Sequence, residues 1–209
     1  MPEIDLYRLS KLAFADVTGW RRILKELRRD HTFRFFGYRP FRKAAVRLLR
    51  LRDRDNDARV VATMNGEAPD AEWAGRNQNA YNVFKELFAD DLVSVDQVYM
   101  GTWRTMPDLA FSGDVNLTGG PHFAATDARG QRRYVYLHPS TDWRDKEVDA
   151  FCELLCFVTD HRFGAPAPDV WFLDIANGCR VRYRPKVRVL RRCKDAAELL
   201  FSMRNLGDL

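Results

Sequence analysis

The chain has 209 residues, 46% hydrophobic and 30% charged, a balance that supports one apolar core and argues against disorder. It has no run of about 18 apolar residues and a charged rather than signal-like start, so a cytoplasmic protein without a membrane-spanning helix is expected. The formal net charge of +5 is segregated, at +9 over residues 1–54, −7 over 55–130 and +3 over 131–209, and separated basic surfaces of this kind favour polyanions such as nucleic acid.

The first predicted helix is Thr18 to Asp30, with Trp20, Ile23, Leu24 and Leu27 on one face and arginines on the other. Pro40 opens a second, because proline is tolerated in a first turn and Phe41, Ala44, Ala45 and Leu48 form an apolar stripe. Its other face carries Arg42, Lys43, Arg47, Arg50 and Arg52, either solvated or facing phosphate. After a polar connection from about Asp55, a third helix is expected from Asp70 to Ala89. Its buried stripe of Trp73, Asn77, Ala80, Tyr81, Phe84 and Phe88 contains an amide that needs hydrogen-bond partners.

Strand-like runs follow at 92–100, 109–117, 121–126 and 134–138, with Gly119-Gly120 and the segment Asp127 to Gly130 supplying turn chemistry. A helix from Asp145 to His161 carries Val148, Cys152, Leu155 and Val158 or Thr159 on one face. Residues 170–175, VWFLDI, read as a buried strand, and Asn177-Gly178 as a hairpin turn. The next segment, Arg180 to Val189, alternates strictly as a strand would. Asp195 can then cap a last helix. Cys152, Cys156, Cys179 and Cys193 form no CxxC pair; iron–sulfur or zinc binding is conceivable for four cysteines, but reduced thiols, some in the core, fit this spacing better.

A helix, a strand meander, a crossover helix and a further strand, over about residues 70–193, resemble the core of the PD-(D/E)xK nuclease superfamily, which includes restriction endonucleases. There, Gly-x-Pro-Asp on one strand, Glu-x-Lys on the next and an acid on the first core helix hold a divalent metal. Clustered carboxylates bind magnesium, which polarises the phosphate. Here the corresponding stretches are Gly119-Gly120-Pro121-His122 and Tyr136-Leu137-His138-Pro139-Ser140. The resemblance places Asn77 at the helix acid, His122 at the aspartate, and His138 and Ser140 at the glutamate and lysine. An alternative register starts at Ser112-Gly113-Asp114, supplemented by Asp127 or Asp142, yet no Glu-x-Lys follows.

The same residues suit other chemistries. His122 and His138, as cross-strand neighbours, would share a proton or bind a transition metal, although no third ligand is evident; structural histidines are the commoner case. A Ser140–His138–Asp142 triad is disfavoured by its close spacing on an extended chain. On an extended strand, Arg180, Arg182, Arg184, Lys186 and Arg188 would project from one face about 6.6–7 Å apart, near the phosphate spacing of a nucleic-acid strand. Arg191, Arg192 and Lys194 extend that track. Edge protection against aggregation is the competing explanation, and Pro185 fits an edge.

The sequence thus describes an α/β protein with a central mixed sheet flanked by helices. A restriction-endonuclease-like core at 55–209 would follow a basic helical extension at 1–54. The expected function is nucleic-acid binding on a degenerate, noncatalytic nuclease-like fold, with no cofactor, no metal site and no membrane partner. The alternatives are an atypical nuclease using magnesium or manganese with Asp114, Asp127 and the histidines, and a subunit binding an acidic protein partner or a second copy of itself.

Overall fold

The computed structural model describes residues 3–28, 37–51, 57–100, 102, 106, 109–112, 115–140 and 143–205. Three predicted helices form close to their expected bounds. One is α3 (Arg39–Leu51), preceded by α1 (Leu6–Leu12) and α2 (Val17–Arg28), with β1 (Glu3–Asp5) before them. Next comes α4 (Asp57–Gly66), formed where the polar connection was expected, with only Val60 and Met64 buried. The third predicted helix is α5 (Ala71–Leu87). It starts where Asp70, in an extended conformation, accepts a hydrogen bond from the Trp73 N–H at 2.8 Å.

The strand region then builds two sheets. β2 (Leu92–Val98) begins the larger one; β3 (Leu109–Ser112) and β4 (Val115–Thr118) are antiparallel neighbours in the smaller one. The expected single strand 109–117 is therefore two, broken at Ser112. β4 also pairs in parallel with β1, so the amino-terminal residues belong to this second sheet. β5 (Phe123–Asp127) and β6 (Arg132–His138) form the hairpin, and α6 (Asp145–Phe163) crosses over to β7 (Val170–Asp174), which lies parallel to β6. β8 (Cys179–Val181) closes the order β2-β5-β6-β7-β8.

The alternating strand expected from Arg180 to Val189 ends at Val181; from Val187 the chain is helical, as α7 (Val187–Asn205). Burial explains the correction. Val189, Leu190 and Cys193 pack on the same cluster as Ala196, Ala197 and Leu200 and continue their helical spacing backward, so the helix begins eight residues ahead of the expected Asp195 cap.

Two apolar clusters sandwich the large sheet. On one side α6, α1 and α7 pack Leu9, Phe151, Leu155 and Ala197 around Tyr136 and Phe172. On the other, α3, α4 and α5 pack Phe41, Met64, Tyr81 and Phe84 onto Phe123, Val135, Leu137 and Leu173. Alternation along β6 separates the two sets, as the pleat requires. The helices of residues 1–54 contribute to both clusters. No helix among the described residues is long and apolar enough to cross a membrane.

Candidate functional site

Gly119, at φ 98°, takes a backbone conformation that suits glycine, and the next residues lead into β5. The hairpin register pairs Phe123 with Val135 and Ala124 with Tyr134, so His122 lies across from Tyr136. Its cross-strand neighbour is thus a tyrosine, not His138 as the facing-histidine expectation required. The two rings stack at 4.3 Å, and the His122 Nδ1 accepts the Leu137 N–H at 3.0 Å. That bond leaves Nδ1 without a proton and puts the proton of the neutral ring on Nε2.

His138 lies two residues beyond Tyr136, its ring 4.4 Å from Trp143 and 5.4 Å from Phe172. Beside it on β7 stands Asp174, which the sequence reading missed although it ends the apolar run VWFLD. Its carboxylate accepts the Asn177 N–H at 3.1 Å and the Asn177 side-chain amide at 2.8 Å, closing the turn before β8. Ser140 follows in the loop after β6; Asp142 and Asp114 lie outside the described residues.

The third member of this cluster comes from α3. Arg42, expected on a solvent or phosphate face, turns inward, and its Nε is buried. Burial pulls its pKa down, and the neighbouring Tyr136 and Tyr38 oppose that shift. Burial, then the charges of Arg42 and His138, hold the His122 imidazole well below its ordinary range. Burial also pushes the Tyr136 phenol up to about 12; Arg42 counters this while Asp5 and Tyr7 add to it. Imidazole, phenol and guanidinium groups dominate the cluster; the Asp174 carboxylate beside His138 is engaged by Asn177, and Asp5, which acts on Tyr136, accepts the Arg8 N–H at 2.8 Å. Magnesium takes an oxygen-rich, carboxylate-dominated set, which two separately engaged carboxylates do not supply.

The His122 arrangement predicts a pH dependence. An unfolded histidine titrates near 6.5, whereas the folded one resists protonation because burial, then the charges of Arg42 and His138, disfavour its charged form, and a second proton would also displace the Leu137 N–H from Nδ1. Its stabilising contribution is complete above pH 6.5 and is lost as pH falls from there toward the depressed folded value. Chemical denaturation is expected to show stability falling by as much as ~1.4 kcal/mol per pH unit below pH 6.5. His122→Asn, which keeps an acceptor, removes that component of the slope; an unchanged slope in this variant contradicts the assignment.

Asn77 and Asp127 do not join this cluster. Asn77 is fully buried, and its Oδ1 accepts the Phe41 N–H at 2.9 Å while Nδ2 donates to the Gly37 and Trp73 carbonyls, both at 2.7 Å. It ties α5 to the start of α3, on the sheet face opposite Tyr136. Asp127 sits at the far end of β5 from His122. It accepts the Arg129 and Gln131 N–H groups at 2.9 Å each and Arg133 Nε at 2.8 Å, and Arg133 also pairs with Asp169 at 2.6 Å. These bonds hold its pKa below the usual carboxylate value against the opposing effect of burial. It is a turn-forming carboxylate.

The expected cationic positions divide into engaged and outward ones. Arg180 covers the Trp171 ring at 4.4 Å, Lys186 Nζ pairs with Asp149 at 2.6 Å, and Arg192 donates to the Ala13 carbonyl and covers Phe14 at 4.6 Å. Arg182, Arg184, Arg188 and Arg191 are exposed and have no acidic partner among the described residues. On α3, Lys43 pairs with Glu67 at 2.7 Å, Arg47 is half-buried and Arg50 is exposed. Among these positions, the outward charge is thus mostly between β8 and the first turns of α7.

Cys152, Cys156 and Cys193 are buried free thiols; burial pushes Cys156 and Cys193 up to about 12, and Cys179 is exposed. Among the described residues no group of three or more His, Cys, Asp or Glu is placed to hold a metal ion. Comparison with protein-family models, curated proteins and solved structures returned no match.

Proposed function

We propose that this chain is a nucleic-acid-binding protein on a nuclease-like, restriction-endonuclease-type core whose cleavage site has lost its metal-binding carboxylates. The observation that carries the proposal is the cationic tract of Arg182, Arg184, Arg188 and Arg191, exposed and without acidic partners among the described residues. Such a surface neutralises phosphates and releases their counterions, which drives binding without sequence readout. The start of α7 adds a positive helix end with no acid in its first turn.

Support for the nuclease-like core comes from element order alone, since Asn77, which the resemblance put at the helix acid beside His122 and His138, lies on the sheet face opposite Tyr136. α5, the antiparallel run β2-β5-β6, the crossover α6 and the parallel β7 follow one another as in the resemblance. In the stretches corresponding to the motif stand His122, Tyr136 and His138, and Asp127 is committed to its turn.

Mobility shift with DNA and with RNA, run beside a cleavage assay in magnesium and in manganese, tests the proposal. The expected result is retarded nucleic acid without metal-dependent cleavage above background. Robust cleavage lost in Asp114→Ala or His122→Ala would instead establish an atypical nuclease. Absence of any shift at low salt would redirect the basic tract to an acidic protein partner.

A further inference from the structure

Residues 182–186 connect β8 to α7 outside any regular element, yet they carry Arg182 and Arg184 and lead directly to Arg188. Glu153 on α6 reaches them from below. It is 5% exposed, and its Oε2 accepts both the Lys186 N–H at 2.7 Å and the Tyr183 hydroxyl. Burial, then this hydrogen bond, pushes the Tyr183 pKa up, so the phenol remains a donor. No ion pair to Glu153 is formed among the described residues, because the Lys186 ammonium goes to Asp149. A buried carboxylate is costly unless its hydrogen bonds are met, and here they are met by the connecting segment itself.

We infer that Glu153 is the positioning residue of the cationic tract: it fixes Tyr183 and Lys186 so that Arg182, Arg184 and Arg188 present a preset spacing to phosphates. This rests on the proposed nucleic-acid-binding function. A connecting segment ordered in advance spares the complex the entropy of ordering it, which would otherwise weaken binding. The carboxylate itself is negative and acts against phosphate through space, so its two roles have opposite signs. If charge dominated, removing it would tighten binding.

The test is equilibrium binding of a fluorescent oligonucleotide to Glu153→Ala, Glu153→Gln and Tyr183→Phe over a range of salt concentrations. Glu153→Ala is expected to lose about tenfold in affinity at every salt concentration, about 1.4 kcal/mol, with an unchanged log–log slope because no phosphate-contacting cation is removed. Glu153→Gln retains an acceptor oxygen and is expected to stay within about threefold of the parent chain, restoring most of that loss. Tyr183→Phe, which removes one of the two bonds, should fall between them, and it decides the matter if Glu153→Ala does not fold. Unchanged or tighter binding in folded Glu153→Ala, or in Tyr183→Phe where that variant decides, overturns the inference. A tract variant that loses affinity while these do not removes only this inference; a tract variant with no effect removes the proposed function.

Discussion

Asn77→Ala is expected to destabilise the fold by about 3 kcal/mol, measured as a shift in the denaturation midpoint at unchanged slope. The side chain is 0% exposed and serves three backbone groups. Two of them have no substitute within a helix: the Phe41 N–H is among the first of α3, and the Gly37 carbonyl lies before that helix. A buried donor or acceptor left unpaired costs roughly 1–3 kcal/mol, and the vacated volume adds to this. For a chain of this length the loss corresponds to roughly 10 °C in melting temperature. A loss below about 1 kcal/mol would show that the start of α3 finds other partners. Because Arg42 follows Phe41 directly, the same variant is expected to loosen the packing of Arg42 beside His122 and Tyr136.

Replacing Arg182, Arg184 and Arg188 together with Ala is expected to weaken nucleic-acid binding on the order of 100-fold at moderate salt. Each exposed cation contributes about 1 kcal/mol, and three such contributions sum to about two decades in affinity. The loss should be nearly uniform across sequences, since phosphate contacts carry no base information. All three positions are exposed and lie outside the core, so the variant is expected to unfold within about 0.5 kcal/mol of the parent chain. A folded triple variant with undiminished affinity would assign the tract to a protein partner, since residues 182–188 are not an edge strand that would need protection.

Much of this organisation was legible in local sequence. Asp70 ahead of the stripe Asn77, Ala80, Tyr81 and Phe84 marks α5, and the apolar period after Asp145 marks α6, which Gly164 ends at φ 62°. Asn77 was readable as a buried amide in need of partners, and it has them. The failures have physical causes. In α4 only Val60 and Met64 are buried, too narrow a stripe to reveal a helix. From Arg180 to Val189 the alternation of arginine with valine imitates a strand, while the deciding pattern of Cys193, Ala196, Ala197 and Leu200 lies farther along.

The candidate cluster was only half legible, because its members are distant in sequence. His122 and His138 stood out within the hairpin, but their relation depends on a register that places Tyr136 across from His122. Arg42 reaches the same cluster from another helix, and Asp5 and Tyr7 influence Tyr136 from the amino-terminal segment. Nothing in an amphipathic reading of α3 distinguishes the inward Arg42 from the outward Arg50. Glu153, likewise, reads as one more charge on a helix until the fold brings residues 183–186 over it.

The most direct test of the central claim is the salt dependence of duplex binding by the parent chain and the Arg182, Arg184, Arg188 triple variant, between about 50 and 200 mM salt. With four outward arginines engaging phosphates, log Kobs is expected to fall against log salt with a slope of about −4 for the parent chain and about −1 for the variant. Equal slopes and equal affinities for the two proteins would contradict nucleic-acid binding through this tract.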